Sequence, residues 1–265
     1  MTGSPSTFDD AMEAWRDWQA SPWGRLRYTL AAHNLARHLP EGGRPLRVLD
    51  LAGADGGDAV PLAARGHHVT VVDFSPGMLA AARERARAAG AADRLATVEA
   101  DVFALPATLT RDAFDLVICH NLLQYQRTVR PAVAAALPLV RPGGLLSLMA
   151  VNRHSVPPAL AVRDLDPAAA LAALDERRGT AFTFDAEITL HTAEEAVAEL
   201  DARGCGPVHH YGIRSVADHI TDEERKREPG FYAALEALEL ALSDRAPYRS
   251  VARLFQLVAE VPGPR

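Results

Sequence analysis

Between residues 46 and 151, apolar runs of strand length alternate with alanine-rich stretches of helical spacing, which constrains the fold more than any other feature of this chain. "LRVLDL" reads as a first strand, "GDAVPLAARG" as a helix closed by Gly66, and "HHVTVVDFS" as a second strand. "SPGMLAAARERARAAG" carries a helix start at Ser75 and Pro76 and a stop at Gly90. The beat continues through the strands "RLATVEAD" and "AFDLVICHN", the helix "TVRPAVAAALPLV", the turn "RPGG" and the strand "LLSLMAVN". Strands joined by helices give a parallel, doubly wound sheet. Ligands of such sheets sit beyond the carboxyl ends of the strands where strand order reverses, so "DLAGADGG", at the end of the first strand, is a site by topology.

Outside this segment, Phe8 to Leu39 shows helical spacing with a break at "SPWG". From His154 to Thr189 the alternation lapses into a proline-, alanine- and charge-bearing insertion. It resumes with the helix "TAEEAVAELDARG", a strand around "PVHHYGI", the helix "FYAALEALELALS" and the strand "SVARLFQLVAEV". The expected organisation is one domain, with a helical lid over 8–40, a core over 46–151, an insertion over 152–190 and the rest of the sheet over 191–260.

Charge and composition narrow the function. A net charge of −6 opposes a large nucleic-acid footprint. No apolar run approaches membrane-spanning length and the N-terminus lacks an export signal, so a cytoplasmic protein, monomer or homodimer, is expected. The 10 histidines show no ligand spacing and Cys119 and Cys205 read as inert buried thiols, so no metal is expected.

The loop after the first strand lacks the Lys-Ser/Thr pair of a phosphate-binding P-loop and the G-x-G-x-x-G of a dinucleotide site. What remains is a strand, Asp50, a small-residue loop and a helix N-terminus. Asp73 closes the second strand, where an acid accepts from ribose hydroxyls, and Asp101 closes the third, within reach of an adenine amino group. Three acidic strand ends describe a nucleoside site without a phosphate, pointing to S-adenosylmethionine before NAD or ATP.

"VLDLAGADGG", "VVDFSPGML", "EADVFALP", "FDLVICHNLLQY" and "LVRPGGLLSLM" resemble the successive motifs of class I S-adenosylmethionine-dependent methyltransferases. "SPWGRLRYTL", "LSLMAVNRHS", "YGIRSVADHI" and "PYRSVARLFQLVA" are similar to the tRNA carboxymethoxyuridine methyltransferases, which esterify a carboxylate on a wobble uridine. The resemblance implies a doubly wound, mostly parallel seven-stranded Rossmann-like sheet, an N-terminal helical lid and an insertion after the fifth strand. It further implies that Arg27 meets the cofactor carboxylate, that Asp50, Ala52, Gly53 and Gly56 form the loop at its methionine end, and that Asp73 and Phe74 hold the ribose. Asp101 and Val102 would flank the adenine, and His120 would stand beside the sulfonium. Asn152, His154, Arg214 and Arg253 would face the acceptor.

Each assignment has a plainer counterpart. His120 ends an apolar strand, where a core histidine is ordinary; Arg214 and Arg253 fit structural ion pairs as well as a bidentate grip on a carboxylate. "DEERKRE" (222–228) reads as a solvated face of mixed sign, and Trp15, Trp18 and Trp23 as lid packing. Ala52 and Ala54 replace glycines: a left-handed backbone at either would cost about 1–2 kcal/mol and leave a degenerate, non-binding loop, whereas negative φ leaves a working one. The intact Asp50, Gly56, Asp73 and Asp101 favour negative φ. Where the family carries a lysine-rich run, this chain has "LDERRGTAFTFDAEI", a poor phosphate surface. The expected reaction is carboxyl O-methylation of a tRNA uridine. The alternatives are O- or N-methylation of a small carboxylate-bearing or other metabolite, and a binding module without transferase activity.

Overall fold

The computed structural model describes residues 11–40, 42–109, 111 and 113–263; the expected helix start at Phe8 lies outside them. Helices α1 (Met12–Ala20) and α2 (Pro22–Ala36) meet at Ser21, whose hydroxyl caps α2 by accepting from the Gly24 N–H at 3.1 Å. The alternation follows as β1 (Arg47–Leu51), α3 (Ala59–Ala64), β2 (His68–Asp73), α4 (Pro76–Ala88), β3 (Leu95–Glu99), β4 (Phe114–His120), α5 (Arg130–Ala136) and β5 (Val140–Val151). The insertion holds helical turns over 153–163, α6 (Pro167–Ala172) and an antiparallel hairpin of β6 (Arg178–Ala181) and β7 (Ala186–Thr189). The chain closes with α7 (Ala193–Ala202), β8 (Val208–Ile213), α8 (Pro229–Leu242), α9 (Tyr248–Val251) and β9 (Leu254–Glu260).

The main sheet has seven strands in the order β3-β2-β1-β4-β5-β9-β8. β1 to β5 run parallel, and β9 is antiparallel to both neighbours. Strand order reverses between β1 and β4, so their carboxyl ends bound the crevice. Several boundaries differ from the sequence reading; β3, for one, ends at Glu99, two residues short of Asp101. β5 starts at Val140 and runs through "RPGG", with Gly143 at φ 73° and a register shift against β4, so the expected turn is a bulge inside a strand. In "SVARLFQLVAEV" the first residues belong to the end of α9, and the strand begins at Leu254.

Alternation of side chains sorts the strands onto two cores. Leu49, Val117 and Leu146 pack with Val133 of α5 and Leu200 of α7; Val48, Val71 and Leu116 pack with Leu62 of α3 and Leu79 of α4 on the other face. A third cluster joins Leu26 and Leu30 of α2, Ile188 of β7 and Leu235 of α8 to Met149, Ile213 and Leu254. It seats the lid and the insertion over the carboxyl ends of β5 and β8. Because β9 is antiparallel, its first residues arrive at that same edge, opposite Val151 and Ile213. Among the described residues no helix is long and apolar enough to cross a membrane.

Candidate functional site

Beyond Leu51 the chain turns over the ends of β1 and β2. The Gly53 N–H donates to the Val72 carbonyl at 3.1 Å and the Ala54 N–H to Asp73 Oδ2 at 2.9 Å, while Asp73 Oδ1 accepts from the Ser75 N–H at 2.9 Å. A Cβ at Gly53 would stand 2.6 Å from the Asp50 carboxyl carbon, so only glycine fits there. Ala52 and Ala54 have φ of 56° and 47°, which overturns the expectation of negative φ. The strained loop keeps its hydrogen bonds and opens on a cavity of about 880 Å³.

At one end of this cavity Arg27 of α2 donates to Asp58 Oδ1 at 2.6 Å, and Asp58 Oδ2 lies 2.9 Å from His120 Nδ1. His120 Nε2 is 2.8 Å from Ser147 Oγ, which also accepts from Gln256 at 3.3 Å. Burial pushes the Asp58 carboxyl up, but the Arg27 guanidinium and His120 outweigh it and hold Asp58 well below the carboxylate range. Burial lowers the His120 pKa against the pull of Asp58. An ionised Asp58 requires a proton on Nδ1, so the Ser147 hydroxyl donates to Nε2 and the ring is neutral. The order Asp58, His120, Ser147 is that of a hydrolase triad, which the sequence reading did not find. Ser147, with no exposed surface in mid-β5, is beyond the reach of any substrate, so the chain of bonds is structural. Asp50, buried and beside the Asp58 charge, is shifted well up. Its Oδ2 and the Arg27 Nε are buried without hydrogen-bond partners among the described residues. An acceptor and a donor left over at one end of the cavity fit the ammonium and carboxylate of an amino-acid moiety, and Asp73 and Phe74 line the wall beside them.

At the other end stand Arg214, Arg253, Asp218, Glu223 and Lys226. Arg214, in a left-handed conformation at φ 62°, donates to the Trp23 carbonyl at 3.2 Å, and its Nε lies 3.0 Å from Asp218 without hydrogen-bond alignment. Burial lowers the Arg253 pKa, and its half-buried side chain makes no ion pair or hydrogen bond among the described residues. Trp15 and Trp18 of α1 stack with centroids 5.0 Å apart, and Trp15 meets Phe184 of the insertion at 5.3 Å, so lid and insertion touch over the cavity.

The cavity thus brings together Arg27, Asp50, Ala52, Gly53, Asp73, Phe74, His120, Arg214 and Arg253. Other expected residues lie outside its lining. The Asn152 amide NH2 donates to the Ser250 and Ala252 carbonyls at 2.9 and 3.0 Å and its oxygen accepts from the His154 N–H, and the His154 side chain is exposed. Asp101 accepts from the Phe103 N–H, Val102 is core, and Gly56, at φ 73°, serves the turn. Cys119 is buried, its thiol pushed up to about 12 by burial, but Cys205 is only half-buried. The sequence reading missed Asp58, Asp218, Glu223 and Lys226; the last two come from the run read as a solvated face, and Lys226 is 2% exposed.

Residues 48–144 match the methyltransferase domain family. The chain is 28% identical, over 96% of both sequences, to the tRNA 5-carboxymethoxyuridine methyltransferase of Escherichia coli strain K12. Its fold is similar to a possible histamine N-methyltransferase of Thermotoga maritima (TM-score 0.63, 15% identity, 97% of this chain and 99% of that one). It is likewise similar to the 1,6-didemethyltoxoflavin-N1-methyltransferase of Burkholderia thailandensis, solved with bound S-adenosylhomocysteine (TM-score 0.57, 17% identity, 97% and 84%). With a methyltransferase domain at its core and the class I fold around it, the protein is an S-adenosylmethionine-dependent methyltransferase.

Proposed function

We propose that the protein methylates a carboxylate, and that this carboxylate is borne by a modified wobble uridine of tRNA. The observation that carries the chemistry is Arg253, a cavity-lining guanidinium that makes no ion pair or side-chain hydrogen bond among the described residues, next to Arg214 and within the field of Asp218. A planar cation whose hydrogen-bonding fork is unengaged in this way suits a bidentate carboxylate. The likeness to a tRNA 5-carboxymethoxyuridine methyltransferase over nearly the whole chain supports the acceptor.

S-adenosylmethionine, when bound, supplies a methyl group activated by a sulfonium. Arg27 and Asp50 would hold its amino-acid end, and Asp73 and Phe74 its ribose. A carboxylate is ionised near neutral pH, so the reaction needs no general base. This agrees with His120, whose two ring nitrogens are engaged by Asp58 and Ser147. Arg253 and Arg214 orient the acceptor oxygen, and the lid and insertion keep water from the cavity.

A free small carboxylate is the second reading. It is favoured by the insertion, where Arg177 is tied to Glu195 and so withdrawn from any phosphate backbone. The deciding experiment is transfer of labelled methyl to tRNA from cells lacking the enzyme, followed by mild alkali. We expect label in tRNA that base releases, as for an ester. No incorporation by protein that binds S-adenosylhomocysteine would discard tRNA and turn the search to small acids.

A further inference from the structure

Of the chain's 28 basic residues, 27 are arginine; the single lysine, Lys226, is buried in the cavity wall at the acceptor end. Its ammonium donates to Glu223 Oε1 at 2.9 Å and lies 4.9 Å from the centroid of the Trp23 ring. An ammonium has three donors, and Glu223 is its one hydrogen-bond acceptor among the described residues. The other carboxylate oxygen, Glu223 Oε2, is buried with no hydrogen-bond donor among the described residues, and Arg163 stands 4.0 Å from Oε1. Packing does not explain this arrangement. A methionine at 226 would cover Trp23 equally well, without the desolvation that a buried ion pair costs. Two free donors beside a free acceptor, facing a cavity, are half of a hydrogen-bond pattern whose other half is a carbonyl next to an N–H.

We propose that Lys226 and Glu223 read the imide edge of a uracil ring, the ammonium donating to a ring carbonyl and Glu223 Oε2 accepting from the ring N3–H. The inference rests on the carboxylate reading above, with Arg253 holding the acid appended to the same ring. It makes the pocket selective: a carboxylic acid without an imide leaves a buried carboxylate oxygen and two ammonium hydrogens unpaired, a penalty that discriminates far more strongly than lost apolar contact.

The test is calorimetric titration of the protein, saturated with S-adenosylhomocysteine, with the nucleoside uridine-5-oxyacetic acid and separately with phenoxyacetate. The wild type is expected to prefer the nucleoside by at least about tenfold. Lys226→Met and Glu223→Gln should each lose most of that margin while S-adenosylhomocysteine affinity, which also reports folding, stays within about twofold of wild type. Unchanged nucleoside affinity in folded variants would reduce the pair to packing. Equal binding of both acids by the wild type would overturn imide recognition and leave carboxylate methylation standing; binding of neither would overturn both.

Discussion

Ala52 and Ala54 hold a backbone that alanine disfavours by about 1–2 kcal/mol per residue, and neither gains a compensating side-chain bond. Ala52→Gly and Ala54→Gly are therefore each expected to stabilise the protein by about 0.5–1 kcal/mol after the entropic cost of glycine, read as a higher urea midpoint with unchanged slope. Asp115 gives a pH signature. It accepts from Arg44 at 3.0 Å, from the Arg47 N–H at 2.8 Å and from Arg141 at 2.5 Å. Burial pushes its carboxyl up, but these donors bring it down to about 2. A depressed acid contributes stability above its unfolded pKa of about 4 and loses it as pH falls toward the folded value. The gap in urea midpoint between wild type and Asp115→Asn should be full at neutral pH, narrow below about pH 4 and close near pH 2.

The segment linking β8 to α8 shows how one element places another's side chains. Glu239 of α8 has no exposed surface and accepts from three consecutive N–H groups, Ser215, Val216 and Ala217, at 2.6, 2.9 and 2.8 Å. These bonds pin the turn that follows the left-handed Arg214, whose carbonyl accepts from the Arg253 N–H at 3.0 Å. Glu239→Gln should cost about 2 kcal/mol and speed amide hydrogen exchange at residues 215–217, while exchange in β1 follows only the global loss. Local rules made other elements readable in advance. Ser75 caps α4 by accepting from the Met78 N–H at 3.0 Å, and Gly90 ends that helix region at φ 66°. Glu239 had no such signal, because its partners lie more than 20 residues away in sequence. Lys226 was hidden for the opposite reason: its neighbours in a charged run suggest solvent, and only the packing of Trp23 over it reverses that.

At the scale of the whole molecule, alternation alone was enough to foretell a parallel sheet and the crevice at its switch point, because each strand and helix advertises its own period. The acceptor end was less legible. It is assembled from α2, the turn after β8 and the start of β9, which meet only because β9 runs backwards beside β5. Asn152 and His154 sit in the right stretch of sequence, yet the backbone there claims one side chain and turns the other outward. The groups that would hold methyl donor and acceptor line a single cavity. Each bound molecule therefore forms part of the other's wall. By linkage, whatever factor the first to arrive adds to the affinity of the second, the second adds to the first, so that one shared factor belongs to the ternary complex.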